Sequence, residues 1–81
     1  MEFMKIKDEF VNIFESIMDT VFSETASMNN CTEWDSLKQV ALIAEIEDKI
    51  DIDFEFEDIL EMTSVEKILR ILRKNNEQKD V

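Results

Sequence analysis

The chain of 81 residues contains no histidine, glycine, proline or tyrosine, and only one cysteine. Without histidine, it lacks the side chain that most often acts as a general base near neutral pH. The single cysteine, Cys31, excludes an internal disulfide and a zinc site built from several cysteines. The absence of glycine excludes a glycine-rich phosphate-binding loop. These absences argue against an enzyme, and a catalytic site made only of carboxylates finds little support in so small a chain.

Basic residues are also scarce: nine Lys and Arg stand against twenty Asp and Glu, a net charge of −11. This excess argues against binding to nucleic acid or to anionic membrane surfaces. Charges interrupt the N-terminus, and no apolar run approaches the roughly 20 residues of a membrane span. We therefore expect a cytoplasmic monomer. Residues 33–61 hold eleven acidic and two basic side chains, so this segment carries −9 of the net charge.

Apolar residues recur at spacings of three and four, the pattern of amphipathic helices. They predict an all-α fold over one domain, residues 1–81: a small four-helix bundle with three longer helices and one short third helix. The predicted helices are about 4–18, 36–49, 56–61 and 64–74. We expect residues 3–74 to be ordered and the tail 75–81, which lacks apolar periodicity, to fray.

Each predicted helix has an apolar stripe. In the first the stripe comprises Phe3, Ile6, Phe10, Ile13, Phe14, Ile17 and Val21. In the second it comprises Leu37, Val40, Ile43, Ile46 and Ile50, with Ala41, Leu42 and Ala44 beside it. In the fourth it comprises Val65, Ile68, Leu69 and Leu72. The loop between the first two helices is expected to be pinned to the core by Val21, Phe22, Ala26 and Met28.

Residues 50–57 alternate between apolar and acidic side chains, which alone would indicate an edge strand. No second strand is evident, so we expect an extended connector with Ile52 and Phe54 pointing inward.

Two helix starts carry capping signals. Thr63 and Glu66 have the spacing of a capping box, with Thr63 as N-cap. Ser36 and Gln39 have the same spacing, which would make the Ser36 hydroxyl a structural cap. Asp35 is an equally good cap, and if it caps, Ser36 becomes the first helical residue with its hydroxyl turned outward.

The segment that begins Trp34-Asp35-Ser36-Leu37 resembles the acyl carrier proteins, and the resemblance covers about residues 4–74. It continues through an acidic second helix, through Asp-Ile-Asp-Phe at 51–54 and through Thr-Ser-Val at 63–65. It implies that Ser36 receives 4′-phosphopantetheine from coenzyme A through a Mg²⁺-dependent phosphopantetheinyl transferase, and that Asp35 assists this loading. The arm's thiol would then carry an acyl or aminoacyl group as a thioester, with no metal held by the chain.

The resemblance also implies partners: an acyl- or aminoacyl-loading enzyme and a downstream synthase or transferase, each with a basic docking patch. The docking residues on the second helix would be Leu37, Ala41, Glu45, Glu47 and Asp48. An attached chain could be sheltered between the second and third helices by Ile43, Ile46, Ile59 and Met62. The family often has glycine shortly before the motif, whereas this chain has Cys-Thr-Glu-Trp at 31–34. Trp34 resembles stand-alone carriers outside mainstream fatty-acid synthesis, so fatty-acid, polyketide and other pathways stay open.

Other interpretations of the same residues are weaker. An acidic helical interaction module without an arm is the alternative function, since the charged helix could bind a basic partner directly. The acids at 51–58 begin like a calcium-binding loop but lack its central glycine, and methionine stands at its twelfth position. Cys31 has no neighbouring histidine, so a bland loop cysteine is favoured over a reactive thiol.

Overall fold

The computed structural model describes the backbone of residues 3–79 and the side chains of residues 3–76. Four α-helices follow one another: α1 (Phe3–Met18), α2 (Ser36–Ile50), α3 (Phe56–Glu61) and α4 (Val65–Lys79). The described chain forms no β-strand, and its one bridge of strand type joins Ser27 to Ser64. The all-α prediction with a short third helix is confirmed.

One hydrophobic core joins all parts of the described chain. Helix α1 contributes every third or fourth residue, as its periodicity predicts: Ile6, Phe10, Ile13, Phe14 and Met18. Aromatic rings of the α1–α2 loop complete this side of the core. Phe14 meets Phe22 and Trp34 edge to face, with ring centroids 5.6 Å apart in both pairs, a favoured arrangement of aromatic pairs. The inward positions of Ile52 and Phe54 in the connector are confirmed, since both are buried.

Without glycine, the chain turns at two aspartates. Asp19 follows α1 with φ 54°, and Asp51 follows α2 with φ 57°, both in the left-handed region. Aspartate tolerates this region better than most residues, because its short side chain can hydrogen-bond locally. These turns end α1 and α2.

The loop between α1 and α2 is anchored at two places. Its backbone pairs with the turn between α3 and α4: the Met28 N–H donates to the Thr63 carbonyl at 3.0 Å, and the Val65 N–H to the Ala26 carbonyl at 3.0 Å. Near α1, the Lys7 ammonium donates to Glu24 at 2.7 Å. This hydrogen bond and the positive charge of Lys7 lower the pKa of the Glu24 carboxyl.

The start of α4 differs from the prediction. The Lys67 N–H donates to the Ser64 hydroxyl oxygen at 3.2 Å, which makes Ser64 the N-cap. Thr63 precedes the cap, and its backbone carbonyl accepts the Met28 N–H of the α1–α2 loop. The predicted capping box of Thr63 with Glu66 is therefore wrong by one residue, because serine at 64 offers the same cap chemistry one position closer to the helix.

The end of α4 also differs. The helix continues to Lys79, five residues beyond the predicted end at Lys74. No glycine or proline interrupts this stretch, and its Lys, Glu and Gln residues favour helix. In the tail predicted to fray, residues 75–79 are therefore helical, while 80 and 81 lie outside the described residues. The guanidinium of Arg73 also lies 4.6 Å from the ring centroid of Phe3, which ties α4 to the start of α1.

Several apolar side chains lie elsewhere than predicted. In α2, Leu42 is buried whereas Leu37 and Val40 are exposed, so the buried face is rotated from the predicted stripe. In α4, Ile71 joins the predicted Val65, Ile68 and Leu72 in the core, while Leu69 is only half-buried. In the loop, Val21 is 81% exposed and pins nothing, although Phe22, Ala26 and Met28 do pack on the core. Spacing alone allows two adjacent helix faces, and packing against α1 selects one of them.

Candidate functional site

The beginning of α2 presents Ser36 on the surface. Asp35 is the N-cap: its backbone is extended, and its Oδ1 accepts the Lys38 N–H at 2.9 Å. The Asp35 carbonyl accepts the Gln39 N–H at 2.8 Å, the first bond of the helix. Ser36 is the first helical residue and is exposed. Of the two capping possibilities left open by the sequence, the structure has Asp35 as the cap.

This position suits a negatively charged group. The first N–H groups of a helix have no partner within the helix, and the macrodipole adds positive potential there. An anion attached at Ser36 would meet both, as anions do at many helix N-termini. The Asp35 cap uses Oδ1, and Oδ2 accepts no hydrogen bond from the described chain. The residue before the exposed serine therefore has one carboxylate oxygen that no hydrogen bond of the described chain occupies.

Trp34 and Gln39 support this turn from the interior. Trp34 is only 2% exposed, and its indole N–H donates to Gln39 Oε1 at 2.6 Å. The Gln39 amide Nε2 in turn donates to the Met62 carbonyl at 2.5 Å, after the end of α3. The sequence reasoning missed both roles. The spacing of Trp34 and Gln39 could have indicated the contact. They occupy the position before the N-cap and the fourth helical position, where side chains often pack together.

Lys38 fastens the same turn to α1. Its ammonium donates to the Ile17 carbonyl at 2.7 Å, at the last turn of α1. A cation at a helix C-terminus is favoured by the macrodipole and satisfies a carbonyl without a helical partner. The exposed serine therefore sits on a turn held by a cap, a buried aromatic ring and a lysine.

The predicted docking residues do not all share one environment. Leu37 is 82% exposed, and Ala41, Glu45 and Asp48 are exposed too. Their spacings of four, four and three place them along one side of α2. Glu47 differs: it is half-buried, and its Oε2 accepts the Phe54 N–H at 3.2 Å. Glu47 therefore tethers the connector and is not a free docking charge.

A small, shallow apolar cavity of about 270 Å³, largely open to solvent, lies between α2 and α3. Of the four predicted lining residues, Ile43 and Ile59 line it. Ile46 and Met62 do not, because both are completely buried in the core. The remaining lining residues are Val40, Ala44 and Glu47.

Other candidate groups carry no site within the described chain. The Cys31 thiol is half-buried and donates to Glu33 Oε2 at 3.5 Å. Among the side chains of residues 3–76, no three His, Cys, Asp or Glu are placed to hold a metal ion. None of the helices in this part of the chain is long and apolar enough to span a membrane.

One comparison with known proteins gives a match. The family model described as the phosphopantetheine attachment site matches residues 33–72, from two residues before Asp35 to the buried part of α4. Searches among curated proteins and among solved structures gave no significant match. The matched segment includes the exposed serine, its cap, the acidic α2 and both walls of the cavity.

Proposed function

Because the chain belongs to the acyl carrier protein family, whose members bear covalent 4′-phosphopantetheine, we propose that Ser36 is the residue that carries this group. The observation that carries the proposal is a comparison of two serines. The matched segment 33–72 contains only Ser36 and Ser64. Ser64 is half-buried and its hydroxyl caps α4, whereas Ser36 is exposed at the start of α2. Of these two serines, Ser36 is the one that is exposed and caps no helix, which supports Ser36 as the attachment residue.

The residues around Ser36 fit a phosphodiester. In loading, Ser36 Oγ forms a bond to the phosphorus of the phosphopantetheine half of coenzyme A. The pyrophosphate bond breaks, adenosine 3′,5′-bisphosphate leaves, and the hydroxyl proton passes to a base of the transferase. The free N–H groups of the first turn of α2 favour the phosphodiester charge. Asp35 keeps that turn formed through Oδ1, and its other carboxylate oxygen would be available to the Mg²⁺ that the transferase uses. Once attached, the group supplies a terminal thiol that holds acyl or aminoacyl cargo as a thioester.

Loading is the direct test. Wild-type protein incubated with coenzyme A, Mg²⁺ and a broad-specificity phosphopantetheinyl transferase should gain the mass of one arm. The Ser36→Ala variant should gain none. Ser64→Ala is the matched control, because it removes the other serine of the matched segment and should still be loaded. A loaded Ser36→Ala variant would refute the assignment. An unloaded wild type, under conditions that load a known carrier, would favour the acidic interaction module without an arm.

We also propose that α2 guides delivery to partner enzymes. Leu37, Ala41, Glu45 and Asp48, which we call the docking face, combine exposed apolar surface near Ser36 with two exposed carboxylates further along the same side of α2. Such a face fits a basic patch on a transferase or synthase. Complementary charge mainly raises the rate and selectivity of association.

The cavity between α2 and α3 supports a proposal about the cargo. Its lining by Val40, Ile43 and Ile59 suits an apolar chain. At about 270 Å³ it lies just below the roughly 300–1,000 Å³ of typical ligand pockets. We therefore propose that it shelters a short acyl chain rather than a long one.

Amide chemical shifts test the sheltered cargo. Compared with the arm alone, a short acyl group should move the amide resonances of Ile43 and Ile59. Ile13, buried on α1, serves as the control and should be unaffected. Unchanged shifts at Ile43 and Ile59 would mean that the cargo stays in solvent.

A further inference from the structure

We propose that Gln39 is a positioning residue for the loading of Ser36, an inference that rests on the function proposed above. Gln39 lies one turn after the serine and does not touch the hydroxyl in the described contacts. Its side chain joins two parts of the fold, the residue two places before Ser36 and the turn after α3. Through these two bonds it sets how the chain enters α2.

The first bond holds the entry of the helix. With Asp35 as N-cap, Trp34 occupies the position before the cap and Gln39 the fourth helical position. Apolar side chains at these two positions often pack together and fix the angle at which the chain enters a helix. Here the pairing is a 2.6 Å hydrogen bond from a buried indole to an amide oxygen. The backbone N–H of Trp34 donates to the Cys31 carbonyl at 3.0 Å, so hydrogen bonds fix both the backbone and the ring of this residue.

The second bond gives Gln39 a fixed orientation. Its Nε2 donates to the carbonyl of Met62, a residue with no exposed surface. The turn that follows is itself paired with the α1–α2 loop through Thr63 and Val65. The Gln39 amide nitrogen is therefore bonded to a turn that is itself hydrogen-bonded to the α1–α2 loop. This bond orients the amide oxygen toward the Trp34 indole. Neither bond alone would define the position of the indole so closely.

Loss of this amide should disturb the serine before it disturbs the fold. Removing the Gln39 side chain leaves a buried indole N–H and a buried carbonyl without partners, which is unfavourable. The Trp34 ring can relieve this by turning toward water, and it then drags the backbone next to Asp35 and Ser36. Group transfer is sensitive to small misplacements of the reacting atom. The transferase should therefore still bind the carrier but load it more slowly.

Steady-state loading kinetics of the full chain test this role, with coenzyme A and one phosphopantetheinyl transferase well below each variant's unfolding temperature. Gln39→Ala should lower kcat by about tenfold, by the usual sensitivity of group transfer to position, with little change in the KM for the carrier. Gln39→Glu should have an intermediate effect, since a carboxylate can accept from Trp34 but cannot donate to Met62. Gln78→Ala, the same exchange in the last turn of α4, is the matched control and should load as the wild type does.

A second variant tests the same hydrogen bond without changing Gln39, so the result does not depend on the stability of the Gln39 variants. Trp34→Phe keeps an aromatic ring but removes the indole donor, so it should lower kcat by a similar factor. Adding Trp34→Phe to Gln39→Ala should lower kcat little further, because Gln39→Ala already breaks the Trp34–Gln39 hydrogen bond that Trp34→Phe removes. In Gln39→Ala the fluorescence of Trp34, the sole tryptophan, should shift to longer wavelength and become easier to quench.

The outcomes separate the two proposals. A wild type that is loaded, together with Gln39→Ala and Trp34→Phe proteins loaded at the same kcat, would overturn the positioning role and leave Ser36 as the attachment residue. Fully additive effects of the two changes would also overturn it. A wild type that is never loaded would overturn both proposals.

Discussion

At the scale of single residues, the site divides two tasks between neighbours. Asp35 closes the N-terminus of α2 through Oδ1, and Ser36 is thereby freed to point outward. Had Ser36 been the cap, its hydroxyl would accept from the helix backbone and could not be modified without loss of the cap. The exposed serine is therefore a consequence of the aspartate before it.

Two substitutions at Asp35 separate its roles. Asparagine caps helices about as well as aspartate, whereas alanine does not, at a cost of about 1 kcal/mol. In urea unfolding, Asp35→Asn should stay within a few tenths of a kcal/mol of the wild type, and Asp35→Ala should lose about 1 kcal/mol. Both should be loaded more slowly, because both lack the carboxylate beside Ser36. Loading of Asp35→Asn at the wild-type rate would reduce Asp35 to a cap alone.

Individual contacts were less predictable from the sequence than the residues that make them. Cap preference and the resemblance of residues 34–37 to known carriers are local features, and they are enough to single out Asp35, Ser36 and Leu37 as candidate site residues. The bonds of Gln39 need the position of Met62, 23 residues away, which no local pattern contains. The same limit explains Glu47, which spacing places among the docking acids and which the fold directs to the backbone of Phe54.

At the scale of helices, periodicity predicted which segments are helical but not always which face is buried. The bounds of α3 agree with the prediction, and α1 and α2 differ by one residue at one end. The buried face of α2 was predicted less well, because Leu37, Val40 and Leu42 are all apolar and only contact with α1 distinguishes them. Apolar residues left outside, such as Leu37, then become surface available to partners.

The start of α4 offers a test at this scale. Ser64 caps the helix with its hydroxyl, whereas Thr63 contributes a backbone carbonyl that any residue supplies. In urea unfolding, Ser64→Ala should lower the free energy of unfolding by about 1 kcal/mol. Thr63→Ala, the adjacent control, should cost clearly less. Equal losses, or a larger loss for Thr63→Ala, would return the cap to the residue that the capping-box pattern predicts.

At the scale of the whole molecule, charge is distributed unevenly around one core. Residues 33–61 carry most of the net −11, while the basic side chains gather mainly on α1 and α4. Two ion pairs form among the described side chains, Lys7 with Glu24 and Arg70 with Glu66, and neither uses an acid of α2. The acids of the docking face therefore form no ion pair among the described side chains.

The docking face predicts how loading depends on charge and salt. Glu45→Lys or Asp48→Lys should raise the KM for the carrier in the transferase reaction roughly threefold or more at low salt, because association is steered by charge. Added NaCl should weaken loading of the wild type more than that of the variants, since exposed charges are screened beyond about 8 Å near 0.15 M salt. Asp8→Lys is the matched control: it changes the net charge equally but lies exposed on α1. If Asp8→Lys raises the KM as much as Glu45→Lys does, overall charge and not the docking face governs association.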